Sequence, residues 1–94
     1  ETITAPAARA REIRAHHDER LELAESALGT EPRSGFDISY VLFGRELPPI
    51  QRRFAIAETL SHLERLVVEG RAARHEDDRT VTYTAPLHGG RAPL

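Results

Sequence analysis

Cysteine is missing from the 94 residues, which excludes disulfides and thiolate-held metals at once. Methionine is missing too. A complete translation product starts with one, so Glu1 reads as a cut inside a longer polypeptide, not a natural beginning. Lysine does not occur: all 13 basic residues are arginine, which fits GC-rich, bacterial coding better than a design for gripping phosphates. No apolar run approaches the roughly 20 residues that a bilayer-spanning helix needs. No basic-then-apolar leader opens the chain either. The expectation is a soluble, cytoplasmic chain with no membrane partner.

A surplus of positive charge is absent as well. Residues 1–29 carry four arginines against six acids, residues 30–70 five against six, and residues 71–94 four against three, for a net charge of −2. Nucleic-acid binders concentrate positive charge, because neutralising phosphates supplies most of their sequence-independent affinity. This chain has no such reserve, so nucleic acid is an unlikely partner. What remains, at 39% hydrophobic and 30% charged, is one small globular domain with a limited core.

Three helices and a hairpin follow from the periodicity. Ala10, Ile13, His17, Leu21, Ala24 and Leu28 recur every three or four residues, which predicts a helix from Ala7. Gly29 is placed to form its left-handed cap, and Pro32 stops any continuation. A second helix is expected over about Phe36–Phe43, capped by Ser34 or Asp37 and ended by Gly44, with a short strand as the alternative. Pro49 suits the first turn of a third helix running from Ile50 to Glu69 and closing on Gly70. Its apolar residues form two stripes, Ile56-Leu60-Leu63-Val67 and Ile50-Phe54-Ala57-Val68. That leaves Gln51, Arg52, Glu58, Thr59, His62, Arg65 and Glu69 for solvent. The period then changes to two: strands at Arg71–His75 and Thr80–Thr84 flank a polar turn at Glu76–Arg79. Val81 and Tyr83 are expected to point one way and the threonines the other. The predicted fold is mainly α with a small β-hairpin, the order of a winged helix-turn-helix. Its expected divisions are a lead-in from a missing upstream domain over 1–6, the domain over 7–85 and a flexible tail over 86–94.

Catalytic patterns are not found. His16 and His17 diverge by about 100° on a helix and cannot grip one ion together. His16 with Glu19 falls short of the three protein ligands a catalytic zinc uses. Ser26, Ser34, Ser39 and Ser61 lack a nucleophile-elbow glycine pattern, and Gly89-Gly90 precedes no helix that would cradle phosphate. The expectation is a piece with no catalytic residue, metal or cofactor of its own.

Several residues carry a family likeness. The run from Ala55 through Leu60, His62-Leu63, Leu66 and Glu69-Gly70-Arg71 resembles the third helix of the winged-helix domain at the C-terminus of metallo-β-lactamase-like hydrolases. Ala15-His16-His17-Asp18-Glu19-Arg20 is similar to that family's first-helix motif, with His17 where arginine is usual. Tyr40-Val41-Leu42-Phe43-Gly44 resembles the end of its second helix. The resemblance spans about Ala8 to Tyr83. It implies a parent hydrolase whose two-metal site, usually zinc, lies on a separate N-terminal domain; the family's His-x-His-x-Asp-His metal signature does not occur in this sequence. It also implies that this domain packs beside that catalytic domain and borders its substrate groove. His16, Arg20, Leu23, Ala27 and Leu66 lie off the main stripes and are the expected interdomain contacts, or contacts to a second copy in a homodimer. The alternative is a DNA-binding regulator reading through Arg52, His62 and Arg65 on the third helix. Against it stand Glu58 and Glu69 on the same face and Glu76-Asp77-Asp78 at the hairpin tip.

Overall fold

A computed structural model describes residues 5–86, so the expected tail from residue 87 and the first four residues lie outside the described residues. Its elements are α1 (Ala5–Ser26), β1 (Arg33–Ser34), α2 (Gly35–Phe43), α3 (Pro49–Val68), β2 (Ala73–Glu76) and β3 (Val81–Thr84). The three strands form one antiparallel sheet in the order β1-β3-β2. Arg33 pairs with Tyr83 on one side of β3, and Arg74 with the same tyrosine on the other. The result is the expected helix-rich domain with a small sheet.

Local chemistry explains most of the boundaries. Ser34 caps α2: its Oγ accepts the Asp37 amide at 3.1 Å, satisfying a donor that has no partner in the helix. Pro49 opens α3, where its missing N–H costs nothing. At the far end, Gly70 adopts φ 77°. Its amide reaches Val67 O at 3.0 Å and the Arg71 amide reaches Leu66 O at 2.8 Å, the paired bonds of a Schellman cap. The turn between β2 and β3 is built on Asp77. Its Oδ1 accepts from the Arg79 amide at 3.1 Å, the Thr80 amide at 3.0 Å and the Thr80 hydroxyl at 2.7 Å.

Gly29 departs from expectation. The described residues with positive φ are Gly44 and Gly70 alone, so Gly29 is not a left-handed cap. Instead α1 ends at Ser26, and the last turn tightens as the Leu28 amide bonds to Glu25 O at 3.1 Å. The Gly29 carbonyl then accepts the Ala85 amide at 2.9 Å, tying this connector to the end of β3. β1 was also absent from the expectation. Two residues carry no periodic signal, and only their pairing with β3 defines them as a strand.

The core is Leu21 and Ala24 from α1, Ile38 from α2, Leu63 and Leu66 from α3, then Ala72 and Tyr83. Ala27, Leu28, Leu42 and Val67 pack against it, partly buried. On β3, Tyr83 is buried as expected, but Val81 is exposed and Thr84 lies inward.

The largest correction concerns the phase of α3. Its buried residues are Ala55, Thr59, His62, Leu63 and Leu66, while Ile50 (63%), Phe54 (71%) and Val68 (86%) are exposed. Apolar counting had put Thr59 and His62 in solvent. Helices that approach closely favour small side chains at the contact, and polar groups are tolerated there once hydrogen-bonded. Both conditions hold. Thr59 Oγ1 donates back to Ala55 O at 2.8 Å, and His62 is bonded to Glu58. Close approach recurs between α2 and α3, where a Cβ on Gly35 would collide with the Leu60 side chain.

Candidate functional site

Two polar locks fasten α1 to α3, and every residue in them but Glu25 lies in the motifs quoted above, with Arg20, Glu58 and His62 in the first and Arg65, Glu69 and Arg71 in the second. The first lies in the last third of α1. Arg20 Nε donates to Glu58 Oε2, and its guanidinium stacks 5.2 Å from the centre of the Phe43 ring. His62 Nε2 lies 3.2 Å from the same carboxylate oxygen and donates to it in the tautomer that carries its proton there. His17 meets the His62 ring edge-on with centroids 5.9 Å apart. Burial works to raise the Glu58 carboxyl pKa, but the hydrogen bonds from Arg20 and His62 outweigh it and hold the group below the ordinary value.

The second lock sits at the C-terminal ends of both helices. Arg71 grips Glu25 with two bonds, NH2 to Oε1 at 2.6 Å and Nε to Oε2 at 3.2 Å. Its NH1 reaches Glu69 at 2.7 Å, and Arg65 also donates to Glu69 at 3.0 Å. This fork geometry is what guanidinium offers and an ammonium does not. The Arg71 hydrogen bond lowers the Glu25 pKa, and those from Arg65 and Arg71 lower that of Glu69. A third, smaller contact holds the sheet: Tyr83 OH donates to Glu64 at 2.6 Å, beside Arg74 at 2.6 Å from the other oxygen. Burial and the Glu64 carboxylate raise the Tyr83 pKa.

The expected contact residues separate into three groups. His16, Arg20 and Leu23 line one open, shallow concavity on α1 with Glu19, Glu22 and Ser26. His16 is well exposed and lies 3.6 Å from Glu19, whereas Arg20 is half-withdrawn into its lock. Ala27 packs against the core, so little of it is free. Leu66 is a correction: at 0% exposed it belongs to the core and faces no neighbour. It lies off the stripe chosen from apolar spacing because that stripe was itself out of phase.

The residues of the DNA-reading alternative are similarly dispersed. His62 is buried at 8% exposure, a correction to its placement on a solvent face. Arg52 folds back over Tyr40, 4.1 Å from the ring centre, and donates to Gly44 O at 2.5 Å and Ser39 Oγ at 3.3 Å. Arg65 is the exposed member of the three, paired with Glu69. No common reading surface unites them. The acids of the hairpin tip are partly occupied as well, Asp77 in its turn and Glu76 at 3.4 Å from Arg74. Among the described residues no group of three or more His, Asp or Glu side chains is arranged to hold a metal ion. No described helix is long and apolar enough to cross a membrane.

What apolar periodicity missed was the pair of locks. A signal was present: Glu58 and His62 sit four apart on one helix, the spacing at which side chains meet.

A helical domain with a small sheet, fastened by residues of the Arg20, His62 and Glu69-Gly70-Arg71 motifs, belongs to the metallo-beta-lactamase-like C-terminal domain family, whose model matches residues 21–86. Among solved structures, the chain is similar to a beta-lactamase domain protein from Burkholderia ambifaria, with 37% identity and a TM-score of 0.72. The match covers 84% of this chain and 24% of that one, so the chain spans about a quarter of its neighbour's length. No curated protein matches the chain.

Proposed function

We propose that this chain is the accessory C-terminal domain of a metal-dependent hydrolase, packing beside an upstream metallo-β-lactamase-fold catalytic domain and bordering its substrate groove. The family match over residues 21–86 carries the reading. The neighbour's much greater length supports it, because a chain of that size has room for a catalytic domain ahead of the matched region. Zinc and the hydrolytic step belong to that upstream domain. The described residues of this chain offer no cluster of three ligands, so they do not fit a two-metal site. The role here is to bind and position: His16 and Leu23, both exposed on α1, lie at the edge of the contact with the neighbour, and the two locks hold α1 against α3.

The coding sequence upstream of Glu1 tests this directly. The reading requires an in-frame His-x-His-x-Asp-His segment, and a longer polypeptide that hydrolyses a thioester, a lactam-like ring or RNA only when loaded with metal. A short independent reading frame beginning just before Glu1 would remove its basis. The DNA-binding reading is tested separately by a gel shift at low salt, where submicromolar affinity for random duplex would restore it.

A further inference from the structure

α1 continues well past the body that it packs on. Residues 7–19 are all exposed, a stretch of about 20 Å at 1.5 Å per residue. The side of the helix that faces the body is marked by Leu21 (5% exposed) and Ala24 (0%). Followed toward the N-terminus at about 100° per residue, the same line runs through His17, Ile13 and Ala10. His17 still touches the body through His62, and beyond it the line carries on among exposed residues, with Ile13 at 47%. Arg9 and Arg14 flank this line on either side, roughly 70° from its centre, while Glu12 and Glu19 fall more than about 130° away.

We infer that the Ala10-Ile13-His17 line is the interdomain seam, and that an apolar strip edged with carboxylates on the upstream catalytic domain covers it. This rests on the proposed function above. Three observations select that occupant. The line is continuous with a buried one, so a partner there extends an existing core rather than founding a new contact. It lies at the end of α1 that the preceding chain must enter, so an upstream domain is tethered within reach and docks at high effective concentration. The neighbour of similar sequence has about three-quarters of its chain outside the matched region. The flanking arginines set the charge of the surface that fits. His16 and Leu23 then border the seam rather than form it. A short helical stretch as exposed as residues 7–19 is marginal in water, so this overhang reports docking sensitively.

Amide hydrogen exchange on the 94-residue chain and on the full polypeptide with its upstream region tests the seam. Exchange over residues 7–19 is expected to slow by about ten-fold or more in the full polypeptide, at every protein concentration. Ile13→Glu is expected to restore fast exchange there while leaving α2, α3 and the sheet protected. Equal exchange in both proteins overturns the seam, and so does slowing that grows with concentration, which would place a second copy on it. An upstream region with metal-dependent hydrolase activity but an unprotected overhang sinks the seam alone. An upstream region without that activity sinks the proposed function, and the seam with it.

Discussion

The two halves of α1 share one helical stripe, yet Leu21 and Ala24 are sealed into the core while Ala10, Ile13 and His17 stand exposed. Nothing in the local sequence separates them. The difference lies in what stands opposite: α3 and α2 cover the second half and stop short of the first. Arg20, with its Glu58 partner and the Phe43 ring against it, marks the border. Amphipathic spacing therefore reports which face of a helix wants cover, and tertiary contact decides how far along the helix cover is supplied.

Substitutions on either side of that border break or sharpen the contrast. Leu21→Ala removes a buried side chain from the covered half and is expected to cost about 2–5 kcal/mol in chemical denaturation. A cost below about 1 kcal/mol would mean that the covered half is looser than its burial implies. Ala24→Leu overfills a site with no exposure and should cost about 1–3 kcal/mol, read as a lowered midpoint. Glu58→Gln acts at the border. The carboxyl is depressed in the folded state, so its stabilisation is present above the ordinary value of 4.5 and is lost as pH falls through the lower folded value. The variant should lose about 1 kcal/mol at neutral pH, and its melting temperature should fall less steeply than the parent's below that pH. Identical acid limbs for the two proteins would remove Glu58 from the account. Smallest is Ile13→Ala in the overhang, expected to stay within about 0.5 kcal/mol of the parent in the 94-residue chain. A large loss there would show that the overhang is already covered.

Helix positions were legible because their boundary signals are chemical: Ser34 and Pro49 open helices, and Gly44 and Gly70 follow their ends with positive φ. Gly29 was not, since a glycine after a helix fits a cap and a tight connector equally well. The phase of α3 was illegible for a different reason. Counting apolar residues favours Ile50, Phe54 and Val68, whereas the contact with α1 and α2 selects Ala55, Thr59 and His62 for size and for hydrogen bonds they make only in the folded chain. That error carried Leu66 onto the surface and His62 into a reading face. The family likeness named the right residues without their purpose. Arg20, His62 and Arg71 stood in the quoted motifs, and the structure gives each an acidic partner.

The Arg71 fork joins residues 46 positions apart in the chain. Such a bond forms only after α1 and α3 have met, because closing so long a loop is paid for in entropy before the bond gives anything back. A contact that forms after the barrier leaves the folding rate nearly unchanged when it is removed and speeds unfolding, which is the expected result for Arg71→Ala in refolding and unfolding kinetics. With both side chains more than a third exposed, solvent screens the Arg71–Glu25 pair, so it fixes how the two helix ends meet more than how long the fold lasts.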